Sequence, residues 1–149
     1  ETVYERPFLW GSKRTGPDLA RVGGKYPHLW HVRHMENPRS TSPNSIMPPY
    51  PHMLENDLDL SDLPTKLKRL RMLGTPYSDD EVQNAIEIAR EEAEAIAREV
   101  EAQGGPEGLE TKQIVAIVAY LQRLGTDIQT TSTAGSGASS APEDVNASR

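Results

Sequence analysis

Ile114-Val-Ala-Ile-Val-Ala-Tyr-Leu-Gln-Arg-Leu-Gly-Thr126 sets Ile114, Val115, Ile117, Val118, Tyr120, Leu121 and Leu124 at intervals of three and four before Gly125. Such intervals trace one face of a helix. The pattern predicts a helix opening near Glu110 and closing at Gly125. It is the most hydrophobic helix in the chain and is expected to be the most buried. Upstream, Ser78 followed by Asp79, Asp80 and Glu81 is a helix start: a hydroxyl cap and early carboxylates satisfy free amides and the helix dipole. Glu81, three residues after Ser78, completes a capping box. From Val82 the residues Ala85, Ile86, Ala89, Ala93, Ile96, Ala97 and Val100 form one stripe up to Gly104 and Gly105, so one long helix is expected over about 78–103.

Further upstream, Leu63, Leu67, Leu70 and Leu73 mark another amphipathic helix, closed by Gly74 and Pro76. Its Lys66, Lys68, Arg69 and Arg71 fall mainly off the apolar stripe. Residues 1–50 are dense in Pro and Gly and read as shaped loop, with a short helix near Trp30 to Glu36. After Gln129 the Ser, Thr, Ala and Gly content cannot bury enough apolar area to offset ordering entropy, so 129–149 reads as a disordered tail. The fold class expected is all-α, as one domain over 1–128.

Within 149 residues the hydrophobic fraction is 36% and no apolar run approaches the ~18 residues of a membrane span. No export signal is visible. A net charge of −6 argues against nucleic acid as a partner. The charge is uneven: 5–39 holds Arg6, Lys13, Arg14, Arg21, Lys25, Arg33 and Arg39, whereas 78–110 is rich in Glu. Such asymmetry suits docking between proteins. The absence of cysteine excludes disulfides, thiolate metal sites and thioether bonds to haem on these residues.

Two loops carry chemistry. In Gly16-Pro17-Asp18-Leu19, followed by Val22 and Gly23, a rigid Pro among glycines lets backbone approach a flat ligand while Leu19 and Val22 offer it apolar surface. In Pro43-Asn-Ser-Ile-Met-Pro-Pro-Tyr-Pro51, Met47 sits on a proline-stiffened loop, and a thioether is a soft, neutral ligand. His28, His31 and His34 recur at three-residue spacing and could gather around a zinc or copper ion, although packing or surface histidines explain them more simply. The long helix approaches a heptad seam, which makes a haemless assembly or interaction module the rival class. Nothing resembles a nucleophile elbow, Glu91 and Glu92 read as solvated helix surface, and no catalytic residue is nominated.

The order Gly-Pro-Asp-Leu, Met-Pro, Tyr-Leu-Gln-x-Leu-Gly is similar to class I cytochromes c. The longer strings Pro7 to Tyr26, Trp30-His-Val-Arg-His34, Asn37-Pro-Arg39, Met47-Pro-Pro-Tyr-Pro51, Leu70 to Tyr77 and Ala119 to Thr126 resemble the mono-haem cytochrome c subunit of cbb3-type oxidases. The resemblance implies a class I cytochrome c-like fold lacking the N-terminal helix and the Cys-x-x-Cys-His segment. The Ala/Glu-rich stretch from about Ile86 to Gly108 then reads as an insertion or extension.

It further implies haem c with Met47 as distal ligand, Pro17 as the carbonyl partner of the proximal His, and Leu19, Val22, Pro48 and Tyr50 against the haem. Tyr120 corresponds to the aromatic that packs on the N-terminal helix. The implied role is electron transfer toward a haem–copper catalytic subunit beside a dihaem cytochrome subunit. The implied place is the periplasmic side of the inner membrane, anchored by a segment outside this sequence. The Cys-x-x-Cys-His half would come from outside these residues, for example from a separate chain. Basic residues around Lys13, Arg14 and Arg21 are expected to meet haem propionates or the catalytic subunit.

Overall fold

Residues 19–126 are described by a computed structural model. Two helices meet at the centre: α6 (Ala85–Ala102) and α7 (Gln113–Arg123). The α7 stripe buries Ile114, Val115, Val118 and Leu121, with Ile114 and Val118 at 0% exposure. The α6 stripe buries Ala85, Ala93, Ile96, Ala97 and Val100. Small Ala side chains on α6 let the larger residues of its neighbours close on it. The third wall is α1 (His28–Glu36), which contributes Leu29 and Val32 and packs on both α6 and α7. Of the positions that suggested a heptad seam, Val82, Ala85, Ala93, Ile96 and Val100 are buried in the domain itself, while Ile86 and Ala89 are half-buried.

Local chemistry sets the remaining boundaries. Pro38 ends α1, because the residue before proline is pushed out of the helical region, and Asn37 is extended there. The same Asn37 accepts from the Arg39 amide and starts α2 (Pro38–Thr41), with Pro38 at its first turn. Another short helix, α3 (His52–Glu55), follows Pro51 and packs on α1 and α7. Next comes α4 (Leu63–Met72), ended by Leu73 and by Gly74 at φ +98°.

Ser78 and Glu81 form the expected capping box at α5 (Asp79–Gln83). The single helix expected over 78–103 is instead two. Asn84 leaves helical geometry at φ −95°, ψ 11°, as suits a residue whose side chain competes for backbone hydrogen bonds. The break is a kink rather than a loop: Asn84 N–H donates to Asp80 O at 2.9 Å and Ile88 N–H donates to Asn84 O at 3.0 Å.

Gly105 closes α6 under tight packing, since a Cβ there would strike Val100 Cγ1 and lie 2.7 Å from Leu29 Cδ1. A short clamp then precedes α7: Leu58 N–H donates to Thr111 O at 2.7 Å and Gln113 N–H donates to Asn56 O at 3.0 Å. Lys112 Nζ reinforces it on Asp57 Oδ1 at 2.7 Å. The single antiparallel bridge Asp57–Lys112 is the only extended pairing among the described residues. All-α is the class found.

Candidate functional site

The described part of the first sequence-predicted loop, from Leu19, leads into the start of α1, and the Met47 loop is bonded near its end. At its start, the segment after Leu19 is tied to the end of α7. Gly23 N–H donates to Leu124 O at 2.9 Å. The Gln122 side chain accepts from Gly24 N–H and donates to Tyr26 O, each at 2.8 Å. Glycine is required at position 23, because a Cβ would strike Gln122 O and lie 2.7 Å from Leu124 O. Val22 is 4% exposed at this junction, while Leu19 is 49% exposed. Of the two residues expected to offer apolar surface, only Leu19 presents it openly.

At the other end of α1, Tyr50 N–H donates to Met35 O at 2.8 Å, which fixes the Met47 loop to the helix. Met47 is half-buried and its amide donates to Ser45 Oγ at 3.2 Å. Tyr50 is half-buried and edge-on to His52, whereas Pro48 and His52 are exposed. From the start of α1 at His28 to the Met35 carbonyl that holds the second loop is about 10 Å of helical rise. Tyr120 faces outward from α7 and is exposed, a residue on the side that the core leaves open. Pro17, Lys13 and Arg14 lie outside the described residues, as does 129–149.

Sequence reasoning missed an aromatic column along α1. Tyr26 stacks on Trp30 with centroids 4.1 Å apart and planes 14° from parallel, and Trp30 stacks on His34 at 4.6 Å and 9°. His31 stands edge-on to both Tyr26 and Trp30. The signal was the four-residue spacing of Trp30 and His34, which places both rings on one face of α1; Tyr26 precedes the helix, and no periodicity announces its stacking. His31 is 3% exposed and its Nε2 has no hydrogen-bond partner. Burial, with lesser repulsion from His28 and His34, holds its pKa below the ordinary value and favours the neutral ring.

The three histidines do not converge on a metal. His28 Nδ1 pairs with Glu99 Oε2 at 2.6 Å, His34 Nδ1 shares a 2.6 Å hydrogen bond with Thr41 Oγ1, and His31 turns into the interior. No group of three or more His, Asp or Glu side chains poised for a metal occurs among the described residues. Nor is any described helix long and apolar enough to cross a membrane.

The Met47 loop is thus pinned to α1, and the segment from Leu19 onward runs into the start of the same helix while bonded to the end of α7. No curated protein matches the chain. Residues 1–128 match the family described as "Cytochrome C oxidase, mono-heme subunit/FixO", and the chain accordingly belongs to the mono-haem subunit family of cytochrome c oxidase.

Proposed function

We propose that the chain supplies the methionine side of a haem c site, with Met47 as the distal iron ligand, in the electron-transfer subunit of a cbb3-type oxidase. Haem c is implied by the mono-haem family. The observation that carries the proposal is the mounting of Met47: half-buried, on a loop stiffened by Pro43, Pro48, Pro49 and Pro51, and pinned to α1 through Tyr50 N–H and Met35 O. A thioether held this way keeps its position without a helix beneath it, and axial Met raises the potential of haem iron. The donor set fits on this side only. The sequence has no cysteine, so thioether attachment requires residues outside these 149, and the proximal His is proposed to come with that attachment segment.

Bound haem supplies a one-electron redox centre. The chain's own residues position and shield it. Leu19 offers exposed apolar surface next to the α7 junction, and Pro48 and Tyr50 flank the ligand. Pro17 completes the set by resemblance. Tyr120 is left outward on α7, consistent with a covering helix supplied from elsewhere. The partners proposed are the haem–copper catalytic subunit and the dihaem cytochrome subunit, on the periplasmic side of the inner membrane.

The test is Met47→Ala in the assembled oxidase, read by optical spectroscopy and redox titration of the haem c. Loss of the low-spin signature together with a lower potential is expected. A spectrum and potential identical to wild type would remove Met47 from the coordination sphere.

A further inference from the structure

The outer face of α4 has no role in the proposed haem site. At about 100° per residue, Leu63, Leu67 and Leu70 share the side of α4 that packs on α5 and α6. Met72 falls opposite that side, with Lys68 and Arg69 flanking it, and Leu73 follows at the helix end. Met72 is 86% exposed and Leu73 84%. Four of the twelve residues of 63–74 are basic and none is acidic, in a chain whose net charge is −6.

We propose that this end of α4 rests on an anionic phospholipid bilayer, with Met72 and Leu73 entering the headgroup boundary and Lys68 and Arg69 meeting lipid phosphates. Two observations select a bilayer over a folded partner. The apolar pair stands almost wholly in solvent at the helix end beside the Gly74 turn, so it projects rather than lining a concavity, and a deformable lipid surface accepts such a wedge where a protein would need a matching pocket. Basic side chains around an apolar tip are also the composition of interfacial helices.

Nearby acids do not cancel the charge of the tip. Asp79 is paired with Arg71, and Glu81, which accepts from Ser78, lies in the field of Arg123. Lys66 lies in the field of Asp59, and Asp62 stands at the far end of the helix. Asp80 is the remaining exposed acid on the adjoining turn. The inference is independent of haem, so it can fail while the Met47 proposal stands.

The test is co-sedimentation of the 149-residue chain with vesicles of phosphatidylcholine alone or containing phosphatidylglycerol, at low and high salt. Binding to the anionic vesicles only, weakened by salt, is expected. The Lys68→Glu/Arg69→Glu pair should lower the partition coefficient by at least about tenfold, and Met72→Ser/Leu73→Ser should lower it with helix content unchanged. Absence of binding at low salt would overturn the proposal, as would binding that survives both pairs of substitutions. Self-association or capture by an acidic protein through these residues, without vesicle binding, would overturn it in favour of a protein partner.

Discussion

Helices α4 and α7 carry the same apolar spacing, yet they meet different surroundings. In α7 the stripe is sealed by α1, α3 and α6, and Ile114 and Val118 lose all contact with solvent. In the α4 stripe Leu63 and Leu67 are no more than half-buried, Leu70 is 42% exposed, and Met72 and Leu73 project outward. Spacing identifies a stripe; it does not say whether the fold provides a wall against it. Mean apolarity separates the two helices better, because α4 interleaves its leucines with Lys and Arg whereas the inner turns of α7 carry no charge between Ile114 and Gln122.

That contrast can be broken by substitution. Ile114→Ala in α7 removes a fully buried side chain and should cost about 3 kcal/mol in denaturant unfolding; a loss as small as that of a surface change would mean that the α7 wall is loose. Gly23→Ala tests the tie between the first loop and the end of α7. Its Cβ meets two backbone carbonyls that cannot swing aside, so a loss of about 2 kcal/mol is expected, read by the same unfolding curves.

The next effect is a pH dependence in the α1 wall. His31 has a folded pKa below the ordinary 6.5, so the unfolded chain takes up a proton that the folded chain refuses. Stability should be level above about pH 6.5 on this account and fall as the pH drops below it. His31→Leu should flatten that fall in part, since His34 is also lowered by burial. An unchanged slope would show that the His31 site admits the charged ring. Smallest of all, Leu73→Ser should shift stability by less than about 0.5 kcal/mol, because the side chain is already in solvent. A loss comparable to that of Ile114→Ala would mean that α4 has a wall on its outer side.

The helices legible from sequence were those with long stripes or strong caps. The α7 stripe, the Ser78 capping box and the Gly74 stop all appear where the residues predict them. The kink at Asn84 was missed because the apolar stripe runs through it without interruption: Val82 and Ala85 are both buried on either side. Four-residue helices such as α2 and α3 leave no periodicity to detect. Their starts depend on Asn37 and on Pro51, which read equally well as turn residues.

The candidate site was legible as two loops but not as an arrangement. Met47 stood out through its prolines, whereas nothing local marks Gln122 as the residue that holds Gly24 and Tyr26. The stacked rings of Tyr26, Trp30 and His34 were concealed by reading the histidines as a possible metal set. Imidazole serves equally as an aromatic surface, and the surroundings of each ring decide which use prevails.

The hydrogen bond between Gly24 and Gln122 joins positions 98 apart in sequence. It closes residues 24–122 into a ring. Joining such distant points carries a large loop-closure cost, so this latch should form late in folding, after α6 and α7 have paired locally. The same closeness makes the protein a suitable host for circular permutation. A short linker from 126 to 19, with new termini opened at the exposed Gly74 turn, should preserve the α1, α6 and α7 core while relieving the chain of its slowest closure.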